Sequence, residues 1–438
     1  MRLSIKNIGK LTEANIELNG ITVIAGENNA GKSTIGKSLF AMFNSLYNFD
    51  SKIMSTRINF FSQDLANEFE EYYGDYQIDS MAIAKEIFAA NEDDIDIDYV
   101  SEIIERYAER TSDIWISDDD DGNDEEPLSV SDEFAEKILN SFTKFKHIDD
   151  ASVYANTFNI QILQEFDMQI NNMTSEMDEG NISLIIKNKE CNLTIKNNRV
   201  SKVSGTPYSL KTEILYLDDP FILDNIFMYY IMRFPQMSKG GYHKKNLLKK
   251  LLLKSEKNDV ETAFKELVVN ERLEKILSKI NPVCNGSLSY SQSKGFKYKV
   301  SNSDSGLSAC NISTGLKTFI IIKTLLLNGS LEENGTIILD EPEIHLHPEW
   351  QLTFAEIIVL LQKEYKMHIL LNTHSPYFLR AIEVYSAKYD IADRCKYYMA
   401  ENIGEYSQIS DVTTHTDDIY IKLAKPLENL QIMGYEND

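Results

Sequence analysis

The sequence predicts an α/β protein: a mixed central sheet with flanking helices, built from the two ends of the chain, with a helical arm inserted between them. Three observations predict it. Residues 21–25 form an apolar, β-branched run that ends in Gly26-Glu27-Asn28-Asn29-Ala30-Gly31-Lys32-Ser33-Thr34 and passes into an amphipathic helical pattern (Ile35, Leu39, Phe40). A second buried-strand pattern, Thr336-Ile337-Ile338-Leu339, ends in Asp340-Glu341. Lys32 and Asp340 stand 308 residues apart, and much of the chain between them reads as helix.

Taken in order, Leu3, Ile5 and Ile8, then Ala14, Ile16 and Leu18, alternate as strands. Asn19-Gly20 is a tight-turn signal that predicts a hairpin with the strand at 21–24. A helix is expected over 34–47, and residues 50–170 read mostly as helix. Ser129-x-x-Asp132 has the form of a capping box, opening a face of Phe134, Ile138, Phe142 and Phe145 whose plain reading is core packing. Strands are expected at 182–186 and 193–195 around a turn near Asn188, and at 213–217 before Asp218-Asp219-Pro220. Helix returns over 221–285, followed by strands at 288–290 and 298–300. Ser313-Thr314-Gly315 then opens a helix through Phe319 and Leu326. After the Asp340-Glu341 strand come a helix over 351–364 and a strand over 368–371 that ends at Asn372-Thr373-His374-Ser375-Pro376.

The first string fits G-x-x-x-x-G-K-[ST]. Strand, glycine loop and helix in that order aim backbone N–H groups and the positive helix end at phosphates. Lys32 would reach the β/γ-phosphates, and the Ser33 hydroxyl would ligate Mg²⁺. Asp340 is suited to hold the Mg²⁺ shell and Glu341 to polarise the attacking water. His374 stands at the end of a buried strand, where α/β sheets place their ligands, and can hydrogen-bond the γ-phosphate or that water. Ser313 and Gly315 offer a hydroxyl, N–H groups and a helix dipole to an anion. His345-x-His347 has metal-like spacing, but no third ligand lies nearby and Pro348 interrupts any helix.

The 438 residues allow two or three substructures, and 43% hydrophobic with 26% charged residues is the balance of a soluble globular protein. Net charge is −24, of which residues 91–150 carry −16, with 21 acidic and 5 basic side chains. The acid belongs to the arm. Its densest run, 117–127, reads as a solvated loop, with a DNA mimic or a docking strip for a basic partner as the sharper reading. The dense basic helix at 243–254 carries Lys245, Lys249 and Lys250; a solvated face and a nucleic-acid phosphate contact both fit it. Four cysteines without a C-x-x-C pair argue against a zinc site and a disulfide framework. No leader is expected at the N-terminus, no run is apolar enough to span a bilayer, and a cytoplasmic protein is expected.

Together these parts resemble the ATP-binding-cassette ATPases of the SMC/RecF/OLD type, over roughly residues 1–45 and 305–385. The resemblance rests on Asn7-Ile8-Gly9-Lys10-Leu11 before the phosphate loop, Ser313-Thr314-Gly315 as a signature-type loop, D-E-P-E-x-x-L-H-P from Asp340 and T-H-S-P from Thr373. Thr314 departs from the S-G-G of transporters. The phrases at 340–351 and 373–379 are most similar to stand-alone ATPases of bacterial anti-phage systems, the PtuA-type subunit of Septu with its retron-linked relatives and the AriA-type subunit of PARIS.

The resemblance implies an ABC-type ATPase head using ATP and Mg²⁺. It also implies a homodimer or higher homo-oligomer in which Ser313 and Gly315 act on a second copy's nucleotide. In those terms the chain divides into 1–50 (head with phosphate loop), 51–180 (acidic helical insertion), 181–220 (strands returning to the head), 221–310 (signature lobe) and 311–438 (rest of the head). Only 64 residues follow His374, so a nuclease-like effector is expected on another polypeptide. The competing expectation is a DNA-repair ATPase of RecF or SMC character that clamps DNA itself. A self-contained nuclease finds little support in the scattered Asp390, Asp393, Asp417 and Asp418.

Overall fold

The computed structural model describes residues 1–73, 78–115, 128–172, 179–224, 241–253, 263–291, 295–300 and 306–425. The acidic run at 117–127 lies outside the described residues. Contacts divide the chain into two units, Met1–Tyr47 with Phe158–Asp438, and Asn48–Thr157.

The larger unit opens with strands β1 (Arg2–Ile8), β2 (Leu11–Glu17) and β3 (Ile21–Gly26), then helix α1 (Lys32–Leu46). β1 and β2 bury alternate residues, whereas β3 is buried at every position. An unbroken apolar, β-branched strand belongs where both sheet faces are covered.

The smaller unit is helical: α2 (Phe49–Tyr73), α3 (Ser80–Ala89), α4 (Ile97–Trp115), α5 (Asp132–Lys146) and the start of α6 (Asp150–Glu165). Its core joins Phe61, Leu65 and Phe69 to Ile83, Ile103, Phe134, Ile138 and Phe142, so the aromatic stripe of α5 is core packing. The cap of α5 differs from the expected box. The helix begins at Asp132, which makes Ser131 the residue whose hydroxyl reaches the Phe134 N–H, at 3.3 Å; Ser129 lies too far upstream.

The larger unit resumes with β4 (Glu179–Ile186), β5 (Lys189–Lys196), β6 (Arg199–Gly205) and β7 (Ile214–Leu217). Then come α7 (Tyr242–Leu251), α8 (Ala263–Ile280), β8 (Gly286–Ser291), β9 (Gly295–Val300) and β10 (Leu307–Ser308). The last stretch holds α9 (Thr314–Leu327), β11 (Thr336–Asp340), α10 (Pro348–Tyr365), β12 (His368–Thr373), α11 (Pro376–Lys388), β13 (Cys395–Ile403) and β14 (Tyr406–Asp411). Eleven strands form one mixed sheet in the order β6-β5-β4-β1-β2-β14-β13-β3-β12-β11-β7, and β10-β9-β8 form a second. Strands β13, β3, β12, β11 and β7 run parallel to one another, while β2, β1, β4, β5 and β6 are antiparallel. Among the described residues no helix is long and apolar enough to cross a membrane.

One pairing corrects the sequence reading. β2 and β3 are not hairpin partners, because the β13–β14 hairpin lies between them. Both edges of β3 are taken by parallel strands, and β2 pairs with β1 and β14. The Asn19-Gly20 turn instead carries the chain across that hairpin. Gly20 has φ 89°, and a Cβ there would lie 2.4 Å from the Arg394 carbonyl oxygen, so the crossing needs glycine.

The parallel register lines up the strand ends that matter. Ala25 stands opposite Thr373, Asn372 opposite Asp340, and Leu339 opposite Leu217.

Candidate functional site

The phosphate loop joins β3 to α1. Asn29 and Gly31 take left-handed φ values of 59° and 80°, a backbone form that turns successive N–H groups toward one concavity. No side chain caps α1, and its first turn holds no acidic residue. The unpaired N–H groups and the helix dipole are therefore open to an anion. Lys32 is 4% exposed, and its ammonium donates to the carbonyls of Gly26 at 3.1 Å and Glu27 at 2.8 Å. It also pairs with Glu341 at 3.2 Å. Ser33 is exposed and Thr34 half-buried.

Asp340 and Glu341 close β11. Asp340 is held from both sides: Asn372 donates to Oδ1 at 2.9 Å and Tyr216 to Oδ2 at 2.8 Å. The same Asn372 amide reaches the Lys32 carbonyl at 3.1 Å and so ties β12 to the loop. Glu341 turns out of the strand with φ 49° and donates its N–H to the Asn372 carbonyl. Its Oε1 lies 3.4 Å from His374 Nδ1. The contact is an ion pair when the imidazole is protonated, without the geometry of a hydrogen bond. The imidazole first, and then Lys32, hold the Glu341 carboxyl below the usual range; Glu341 in turn raises His374. Glu343 is 1% exposed, and burial pushes its carboxyl up. It accepts the Thr373 hydroxyl and the His374 N–H, which fixes the backbone that presents the imidazole.

The structure thus brings Lys32, Asp340, Glu341 and His374 together. Ser313 and Gly315 stand apart from them: among the described residues no hydrogen bond joins either to residues 26–34. Ser313 occupies the N-cap position of α9; it is exposed, and its side chain makes no capping hydrogen bond. Gly315 packs so closely on the turn after Glu341 that a Cβ would lie 2.7 Å from the His345 carbonyl. His345 and His347 belong to no cluster of metal-ligating side chains among the described residues, nor do the scattered aspartates. The four cysteines are free. On α7, Lys249 is exposed, Lys245 half-buried, and Lys250 is engaged by Glu213.

Several residues of the site escape the sequence reading. Tyr216 is the single polar residue of an apolar strand, and Asn372 follows the apolar run of β12, which is their only signal. Behind Tyr216, the buried His243 of α7 lies between Glu165 at 2.5 Å and Asp218 at 3.0 Å, with its ring 4.5 Å from that of Tyr216. Burial lowers its pKa, but Asp218 and Glu165 more than offset this and bring it to about 9. Asp218 and Asp219 share a cleft of about 420 Å³ with Asp340, Glu341 and Lys244.

Curated relatives that match part of this chain include two retron proteins. The Retron Vc95 probable ATPase of Vibrio cholerae serotype O1 biovar El Tor is 30% identical over 126 residues, 26% of this chain and 23% of that protein. The Retron Ec83 probable ATPase of Escherichia coli is 27% identical over 153 residues, 30% of this chain and 27% of that protein. The chain therefore spans about a quarter of the length of the curated relatives it matches. Among solved structures, an SMC head bound to the C-winged helix domain of ScpA aligns over 95% of this chain and 98% of its own, with TM-score 0.42 and 12% identity. The SMC head domain from Thermotoga maritima aligns over 94% and 98%, with TM-score 0.35 and 12% identity. The phosphate loop, the Asp340-Glu341 strand and His374 all fall within residues 1–379, which match the AAA ATPase domain, and the chain belongs to that family.

Proposed function

We propose that this chain is an Mg²⁺-dependent ATPase that works as a switch. It binds ATP at the phosphate loop, pairs head to head with a second copy, and controls a separate nuclease-like effector in a bacterial anti-phage complex. The observation that carries this reading is the convergence of Lys32, Asp340, Glu341 and His374 at the ends of three adjacent parallel strands.

In this reading the Lys32 ammonium leaves its two carbonyls and Glu341 for the β/γ-phosphates, which concentrate more negative charge. Glu341 loses its cation and becomes available to the attacking water as general base. The water oxygen bonds to the γ-phosphorus, its proton passes to Glu341, and the bond to the β–γ bridging oxygen breaks with its electron pair leaving on ADP. His374 is placed to orient that water or the γ-phosphate. The donors present suit a hard cation: the Asp340 carboxylate and the Ser33 hydroxyl would hold Mg²⁺, which would supply positive charge against the phosphates.

The defence assignment draws on the retron names of the two relatives and on the strings at 340–348 and 373–376. For a DNA clamp, the second reading, the cations would be Lys245 and Lys249, since Lys250 is held by Glu213. Phosphate release by the purified chain, titrated with ATP and Mg²⁺, tests the enzyme reading, and absence of turnover by the chain and its operon neighbour together would sink it. Co-purification with that neighbour tests the effector.

A further inference from the structure

β13 outruns β3. The last pair in their parallel register is Ala400 with Gly26, so the next residues of β13 overhang the phosphate loop. Asn402 is one of them, and its side-chain amide reaches that loop. Its Nδ2 donates to the Asn28 carbonyl at 3.2 Å and to Glu27 Oε2 at 3.3 Å. Its Oδ1 accepts from Lys10 Nζ at 3.2 Å and from the Ser407 hydroxyl at 3.2 Å. These two donors settle which way the amide faces. Lys422 completes the hold by pairing with Glu27 at 3.4 Å and with Glu401 at 3.2 Å.

The peptide geometry gives this contact a consequence. No peptide bond among the described residues is cis. In a trans peptide the carbonyl of one residue and the N–H of the next point in opposite directions. Holding the Asn28 carbonyl outward on Asn402 therefore turns the Asn29 N–H inward, into the concavity where a phosphate would sit. Asn29 itself is in the left-handed region at φ 59°, which asparagine adopts more readily than most residues.

We propose that Asn402 is a positioning residue for nucleotide binding: it presets the phosphate loop from the C-terminal hairpin, so that the anion meets oriented N–H groups. The inference rests on the reading that this loop binds ATP. Asn402→Asp keeps the shape and removes the donation, and Asn402→Asp with Glu27→Gln removes the added carboxylate repulsion as well. Dissociation constants of a fluorescent ATP analogue and of ADP would be measured in the full chain, with and without Mg²⁺, beside the wild type and Lys32→Ala.

Asn402→Asp is expected to weaken both nucleotides by about tenfold, in Mg²⁺ and in EDTA alike, and to raise KM more than it lowers kcat. The double variant stays weak, because the Asn28 carbonyl remains unheld. Full recovery in the double variant would overturn the inference, since the effect would then be charge repulsion alone. Wild-type affinity in Asn402→Asp, with the wild type binding normally, overturns the inference and leaves the ATP reading standing. No binding by the wild type overturns both. Lys10→Met, which removes one orienting donor without touching the loop, should shift affinity in the same direction by a smaller factor, even if the Asn402 variants do not fold.

Discussion

The buried hydroxyl of Tyr216 on β7, the last strand of the large sheet, donates to the Asp340 carboxylate on β11 across 2.8 Å. Tyr216 stands opposite Ile338, so its ring reaches along the neighbouring strand to the end of β11. Gly36 of α1 makes the room, since a Cβ there would lie 2.9 Å from the hydroxyl oxygen. Asn372 occupies the other carboxylate oxygen. Between them the two donors set the plane of Asp340 and decide which of its lone pairs remain for a cation.

Tyr216→Phe is therefore expected to keep the fold and raise the Mg²⁺ concentration for half-maximal turnover by about three- to tenfold, the scale of one lost buried hydrogen bond of about 1 kcal/mol. A Mg²⁺ titration at saturating ATP checks this. An unchanged midpoint would mean that Asn372 alone orients the carboxylate.

Glu341→Gln should still bind ATP but hydrolyse it at least about a hundredfold more slowly, because an amide cannot accept the proton from water. Its affinity for ATP should not fall, since the Lys32–Glu341 ion pair at 3.2 Å competes with the phosphates for the same ammonium. Single-turnover hydrolysis and equilibrium binding separate the two effects. A wild-type rate would move the base to another residue.

His243 carries a pH prediction. Its folded pKa, about 9, lies above the ordinary 6.5, so the stability it contributes is fully present below 6.5 and is lost as pH rises through about 9. The loss is on the order of 3 kcal/mol, from a side chain that is 3% exposed. His243→Gln should lower stability by about 3–5 kcal/mol at pH 6.5, because Glu165 and Asp218 lose their shared cation, and should flatten the dependence between those pH values. Melting curves from pH 6 to 9.5 for both proteins decide it; parallel curves would mean the imidazole is neutral when folded.

What could be read in the sequence is what is local in the chain. The phosphate loop declares itself because strand, glycine turn and helix are contiguous, and Asp340-Glu341 because two carboxylates end an apolar run. The hidden parts are pairings between distant segments. Glu165 and His243 are 78 residues apart, and the basic pattern that begins at His243 says nothing of a carboxylate pair. Asn402 sits in a hairpin with no motif, 374 residues from the loop it holds. The same hairpin separates β2 from β3, which turns a sound turn signal into a wrong pairing. The cap of α5 was misplaced by two residues for a smaller reason: two serines precede the helix, and only the start of the helical dihedrals chooses between them.

Ser313 presents the remaining question, because among the described residues its hydroxyl meets no partner. Its hydroxyl is exposed at the open N-terminus of α9, no hydrogen bond among the described residues joins it to the phosphate loop, and Gly315 behind it is packed on the turn that follows Glu341. A helix end with an exposed N-cap residue and no side-chain cap bond fits a ligand held by another copy. Neither Lys32→Ala nor Ser313→Arg should then hydrolyse ATP alone. In a mixed dimer one site would combine the intact Lys32 of one chain with the intact Ser313 of the other, and the second site would carry both lesions. For random two-fold pairing of equal amounts, recovery should approach about a quarter of the wild-type rate. Recovery that rises with the fraction of mixed dimer supports a shared site. Mixed dimers that form and remain inactive at every ratio would sink the sharing of the site between two copies.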